Sequence, residues 1–177
     1  MSSVAQRKIG GPTTSTLLDK AGQLGLLLPV DLERLAVMRG CDYYYRDLGP
    51  RVPPLGEVPL SNAELAIALI APPLHPSARE IRLSAALLGS PDVQANEVSR
   101  LAVDENCADV VRHVALCGRR FEPQNSFWQT LLDLLPNVKI DTEGLPHPTR
   151  FVEMTGIDRG KVGVFTRWIR PRQPLAA

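Results

Sequence analysis

The sequence predicts a mainly α-helical protein: a helical bundle or short helical-repeat array followed by a small basic C-terminal unit. Three observations carry this expectation. Apolar residues recur at helical spacing behind capping residues, a pattern of helix, proline-containing turn and helix occurs twice, and Lys and Arg concentrate after Pro148. With 177 residues, 44% of them hydrophobic, the chain can bury a sizeable core in one domain with a small appendage.

Ser2 to Thr14 is polar, is broken by Gly-Gly-Pro, and reads as a mobile tail. The helical body then runs over residues 15–136. Ser15 or Thr16 caps a helix carrying Leu17, Leu18, Ala21 and Leu24, and Pro29 sits just inside a second helix carrying Leu32, Leu35 and Ala36. Gly49 to Pro59 holds four prolines, which remove donors and fix an extended backbone, so it reads as a loop. Ser61 or Asn62 caps a third helix with Leu65 and Leu69, which Pro72-Pro73 ends.

The stretches Ile81 to Gly89 and Val111 to Arg119 match at a 30-residue offset, which also places Val98 over Trp128 and Leu101 over Leu131. Each unit, within residues 81–136, reads as two helices around a turn containing Pro91 or Pro123. Val111-Arg-His-Val-Ala115 and Arg100-Leu-Ala-Val-Asp104 resemble HEAT-like or variant leucine-rich helical repeats. That resemblance implies stacked helical pairs and a surface for a protein partner. Residues 137–147 read as a linker.

From Pro148 onward there are six Lys or Arg against Glu153 and Asp158, a net +4, which leaves −3 for the preceding residues of a chain whose total is +1. A basic end on a mildly acidic body suits a phosphate backbone. Within residues 148–171, Val152 stands four before Gly156, Ile157 follows that glycine, and Val162 comes six after it. This spacing resembles the helix-turn-helix of bacterial and phage DNA-binding regulators. The resemblance implies a turn at Gly156, a small core of Val152, Ile157 and Val162, and a second helix capped by Asp158. Its implied activity is DNA binding, as in a transcriptional regulator reading duplex DNA, with a homodimer on a two-fold site. Along a helix, Arg159, Gly163, Arg167 and Arg170 share one side, with Arg150 and Lys161 as flanking phosphate contacts.

A β-hairpin is the alternative for the same segment. Gly160 and Gly163 each cost ~1 kcal/mol in a helix, while Val162, Val164, Phe165, Thr166, Trp168 and Ile169 favour strands. In that arrangement Arg150 to Met154 pairs with Lys161 to Ile169. Residues 172–177 form a tail. The alternative activity is a helical-repeat interaction module without catalysis.

Other candidates carry less. Tyr43, Tyr44 and Tyr45 beside Arg46 offer rings for stacking bases or for packing a domain edge. Cys107, His113 and Cys117 lack a short Cys-x-x-Cys knuckle and read as packed side chains, so no metal or cofactor is expected. Gly10 to Ser15 lacks the lysine of a phosphate loop, and no glycine-flanked nucleophile turn is present, so no enzyme is expected. Pro50 to Pro54 reads as loop before docking peptide. Three cysteines without paired spacing suit free thiols and the cytosol. No apolar run reaches the ~18 residues of a membrane span.

Overall fold

The computed structural model describes residues 15–41, 58–156 and 164–172. The readings placed on Ser2 to Thr14, on Tyr43 to Tyr45, on most of the proline-rich loop and on residues 173–177 lie outside them. The described residues form seven α-helices and one two-stranded sheet: α1 (Thr16–Gln23), α2 (Pro29–Met38), α3 (Asn62–Leu69), α4 (Ala78–Leu88), α5 (Ala95–Asp104), α6 (Ala108–Phe121), α7 (Ser126–Leu134), β1 (Val152–Gly156) and β2 (Val164–Trp168). The protein is mainly helical. Among the described residues no helix is long and apolar enough to cross a membrane.

Local chemistry explains where the helices start. Ser15 accepts a hydrogen bond from the Leu18 amide at the head of α1, and Pro29 opens α2. Ser61 and Ser77 each form a capping box, with Glu64 and Glu80 respectively. α1 is tied to the far side of the bundle by a buried acid: Glu105 accepts from the Ser15 hydroxyl, and from the Leu17 amide at 3.0 Å.

Beyond its first turn α3 is apolar all round, and Ala63 and Leu65 to Ile70 are buried, which makes it the central helix. α4 and α5 pack on it, α1 and α2 cover its other side, and α5 also packs on α7, which packs on α6. α4 and α6 begin 30 residues apart, at Ala78 and Ala108. At that offset Ile81 and Val111, Ala85 and Ala115, Val98 and Trp128, and Leu101 and Leu131 are all buried. The two units differ in how they fill their shared space. Leu88 and Val98 of the first become Gly118 and Trp128 of the second, and a Cβ at Gly118 would lie 2.2 Å from the Trp128 ring.

After α7 the segment through Leu145 runs back along the body, and the C-terminal unit departs from the helix-turn-helix reading. Pro148–Phe151 makes one 3₁₀ turn, and β1 pairs antiparallel with β2 from Val152 opposite Trp168 to Gly156 opposite Val164. Gly156 is therefore the last residue of a strand, not a turn between helices. The correction has a physical cause. A helix would have to accommodate β-branched residues and two glycines for little local gain, whereas the extended form buries Phe151, Val152, Trp168 and Ile169 together. Ile157, Asp158 and Val162 lie outside the described residues.

Gly118→Ala should lower stability by roughly 1–3 kcal/mol through overpacking, because the Trp128 ring it meets is buried and hydrogen-bonded in place. Urea denaturation checks this; an unchanged midpoint would show that the second unit does not need the close approach.

Candidate nucleic-acid interface and its anchor

The hairpin is rooted by aromatic packing. Trp168 lies 4.8 Å from Trp128 and 5.5 Å from Phe151, centroid to centroid, the latter stacked at 23°. Phe151 in turn meets the His113 ring of α6 at 6.0 Å. The Trp168 indole donates to the Ala85 carbonyl of α4 at 3.0 Å, so the one polar atom of a fully buried ring is satisfied. Phe151 and Trp168 thus bridge α4 and α6. The Ile169 amide donates to the Phe151 carbonyl at 3.0 Å and closes the root of the hairpin.

Arg170 completes the anchor. Its Nη1 and Nη2 each lie 2.7 Å from an oxygen of Glu122, and its Nε donates to the Gly89 carbonyl at 2.8 Å. Glu122 also accepts from the Trp128 indole at 2.8 Å and from Asn125 at 3.1 Å. Burial pushes the Glu122 carboxyl upward, but the hydrogen bonds from Arg170, Trp128 and Asn125, with the charge of Arg170, outweigh it and hold the group below its ordinary value of 4.5. Two residues on, the Arg172 amide donates to the Gly40 carbonyl at 2.9 Å, where Gly40 takes φ of 109°. A Cβ at Gly40 would strike the Arg172 carbonyl.

These contacts sort the six expected DNA-binding residues. Arg170 is spent on Glu122 and Gly89, so its reading as a base or phosphate contact is corrected: it holds the fold. Arg150 and Arg167 are exposed, on the 3₁₀ turn and on β2, and neither has an ion pair among the described residues. Arg167 sits opposite Glu153 in the strand register. The Arg150 carbonyl accepts from the Arg82 guanidinium of α4 at 3.2 Å, which fastens the turn to the body. Arg159, Lys161 and Gly163 lie outside the described residues. Sequence reasoning missed Glu122 as the partner of Arg170; a lone glutamate 48 positions away carries no local signal.

The thiols are not poised for chemistry. Cys41, Cys107 and Cys117 are all buried, and none is in a disulfide. Burial, with the charges of Asp109 and Glu105, pushes the Cys107 thiol up, and burial pushes Cys117 up to about 11 despite Arg120. His113 Nε2 lies 2.9 Å from the Pro146 carbonyl and 3.9 Å from the Cys117 sulfur. Donating to that carbonyl leaves this nitrogen no lone pair with which to activate the thiol. Among the described residues no three His, Cys, Asp or Glu side chains are grouped to hold a metal ion.

Comparison with protein-family models, curated proteins and solved structures returns no match to this chain.

Arg170→Ala should cost ~1–2 kcal/mol, since the lost bonds are charge-assisted but the partly exposed pair is screened by solvent. Because the Glu122 carboxyl is depressed in the folded chain, its stabilisation is complete above 4.5 and disappears as pH falls through the lower folded value. Unfolding curves at stepped acid pH should show a smaller pH-dependent loss in the variant than in the parent; parallel losses would assign the acid sensitivity elsewhere. In a second test, thiol labelling at neutral pH should be slow in the native protein and should rise only on denaturation. Fast native modification of Cys117 would contradict its burial.

Proposed function

We propose that this chain binds duplex DNA through its basic C-terminal hairpin, using the helical body as a platform and catalysing no reaction. The observation that carries the reading is a firmly rooted two-stranded ribbon with exposed Arg150 and Arg167. The sequence joining its strands adds Arg159 and Lys161 against Asp158. A B-form major groove is about 12 Å wide and admits a two-stranded β-ribbon as well as a helix. The five-residue ladder sets Gly156 and Val164 ~14 Å from the root. Hairpin arginines can clamp phosphate or take bidentate bonds from guanine, and a single ribbon of this size gains specificity when two copies meet a two-fold site. A regulator of transcription in the cytosol fits this behaviour, and three cysteines outside any disulfide suit a reducing compartment.

A second reading, a helical-repeat module for a protein partner, is favoured by a different observation. Val103 and Leu134, in the last turns of α5 and α7, are each about half exposed. The two readings separate in one experiment on the full chain, measuring anisotropy of a labelled 20-base-pair duplex across a salt series. On the DNA reading, affinity falls steeply with salt. Replacing Arg150, Arg159, Lys161 and Arg167 by Gln flattens the slope of log K against log salt by about 3.6, at roughly 0.9 per phosphate contact. Salt-independent binding, or none, defeats the DNA reading and leaves the protein-partner one.

A further inference from the structure

The outer face of α6 carries a second group of cations that nothing in the hairpin accounts for. At 100° per residue, Arg112, Leu116 and Arg119 form one stripe of this 14-residue helix, with Asp109 and Arg120 beside it. The buried residues Val110, Val111, Val114, Ala115, Cys117 and Gly118 lie on the opposite side. Three contacts locate the stripe. On one flank, His113 meets the Pro146 carbonyl and the Phe151 ring of the C-terminal segment; on the other, Arg119 Nη1 donates to Gln129 of α7 at 3.1 Å. The stripe therefore fills the arc between α7 and the root of the hairpin, where Arg150 precedes the Phe151 that meets His113.

The charges on this face are not balanced as they are elsewhere. Arg34 pairs with Asp31, Arg79 with Glu33, Arg100 with Asp104 and Arg170 with Glu122. Arg112, Arg119, Arg120, Arg150 and Arg167 have no ion pair among the described residues: Glu122, the acid nearest Arg119 and Arg120 in sequence, pairs with Arg170, Asp133 accepts from the Gln129 that Arg119 contacts, Asp109 is the acid nearest Arg112, and Glu153 faces Arg167 in register. The guanidinium of Arg120 lies 5.7 Å from the Phe121 ring centroid, a contact that orients it. An ordinary solvated helix face intersperses both signs, as Arg100 and Asp104 do on α5.

We infer that Arg112, Arg119 and Arg120 of α6 form the body-borne half of one phosphate-binding face and grip the sugar-phosphate backbone of the duplex whose groove takes the hairpin. This rests on the DNA-binding reading above. Arg112 and Arg119 stand ~10 Å apart along the helix, about the rise of three phosphates on one strand. Guanidinium groups at that spacing neutralise charge without reading bases, so their contribution is independent of sequence.

The test is the full-length R112Q/R119Q/R120Q chain in the same duplex salt series, with circular dichroism melting to confirm folding; Gln is a good helix former. The slope should flatten by about 2.7, and affinity should fall equally for duplexes of different sequence. R112Q and R119Q alone should each flatten it by about 0.9. R100Q on α5, off this face, should leave it unchanged. Parent-like slopes in the triple variant would overturn the inference while leaving hairpin binding intact. An equal effect from R100Q would also overturn it, by showing attraction to charge anywhere on the body. Absence of salt-dependent binding by the parent chain would instead remove the DNA reading itself.

Discussion

The C-terminal unit depends on one insertion: the Trp168 indole, stacked on Phe151, lodged against Trp128 and hydrogen-bonded to Ala85. A two-stranded hairpin is at best marginal in water, so something outside its own ladder must hold it. Burying two large aromatic side chains between α4 and α6 supplies that, at a few kcal/mol each by the measure of aromatic-to-alanine substitutions in cores. The Arg170 to Glu122 pair then fixes orientation, because a planar fork accepts only one geometry.

That anchor explains features of the body that otherwise look incidental. Gly118 makes room for Trp128, and Gly89 makes room for Trp168 and Arg170, whose atoms lie 2.9 and 3.0 Å from where a Cβ would stand. Glu122, at the end of α6, gathers the indole of α7, the Asn125 cap and Arg170 beyond β2 on a single carboxylate. The second helical unit differs from the first at Gly118 and Trp128, beside the docked Trp168, while the 30-residue offset remains visible in buried pairs such as Ile81 and Val111 or Leu101 and Leu131.

Much of the body was legible in the sequence because its signals are local. Ser15, Pro29 and Ser61 mark helix starts by the hydrogen bonds or dihedral angles those residues supply, and Pro72 marks a stop. The C-terminal segment was legible only as two alternatives. Val152, Gly156, Ile157 and Val162 satisfy the spacing of a helix-turn-helix, while the β-branched and aromatic run from Val162 to Ile169 satisfies a strand. What decides between them is the groove between α4 and α6, a long-range feature with no trace in a 22-residue window. The same blindness hid the role of Arg170, which shares a side with Arg159 and Arg167 on a helical projection but turns inward to Glu122. The arginines of α6 carry no signal in the sequence, because surface charge is ordinary on a repeat helix.

A helical platform, an aromatic anchor and a composite basic face together make up the proposed DNA-binding surface. Its most direct test is backbone amide mapping by NMR during titration of the full chain with duplex DNA. The account predicts that perturbed amides concentrate in residues 150–167 and on the outer stripe of α6 around Arg112 and Arg119, with α1, α2 and the outer face of α5 unmoved. Perturbations centred on Val103 and Leu134, or spread evenly over the body, would contradict it.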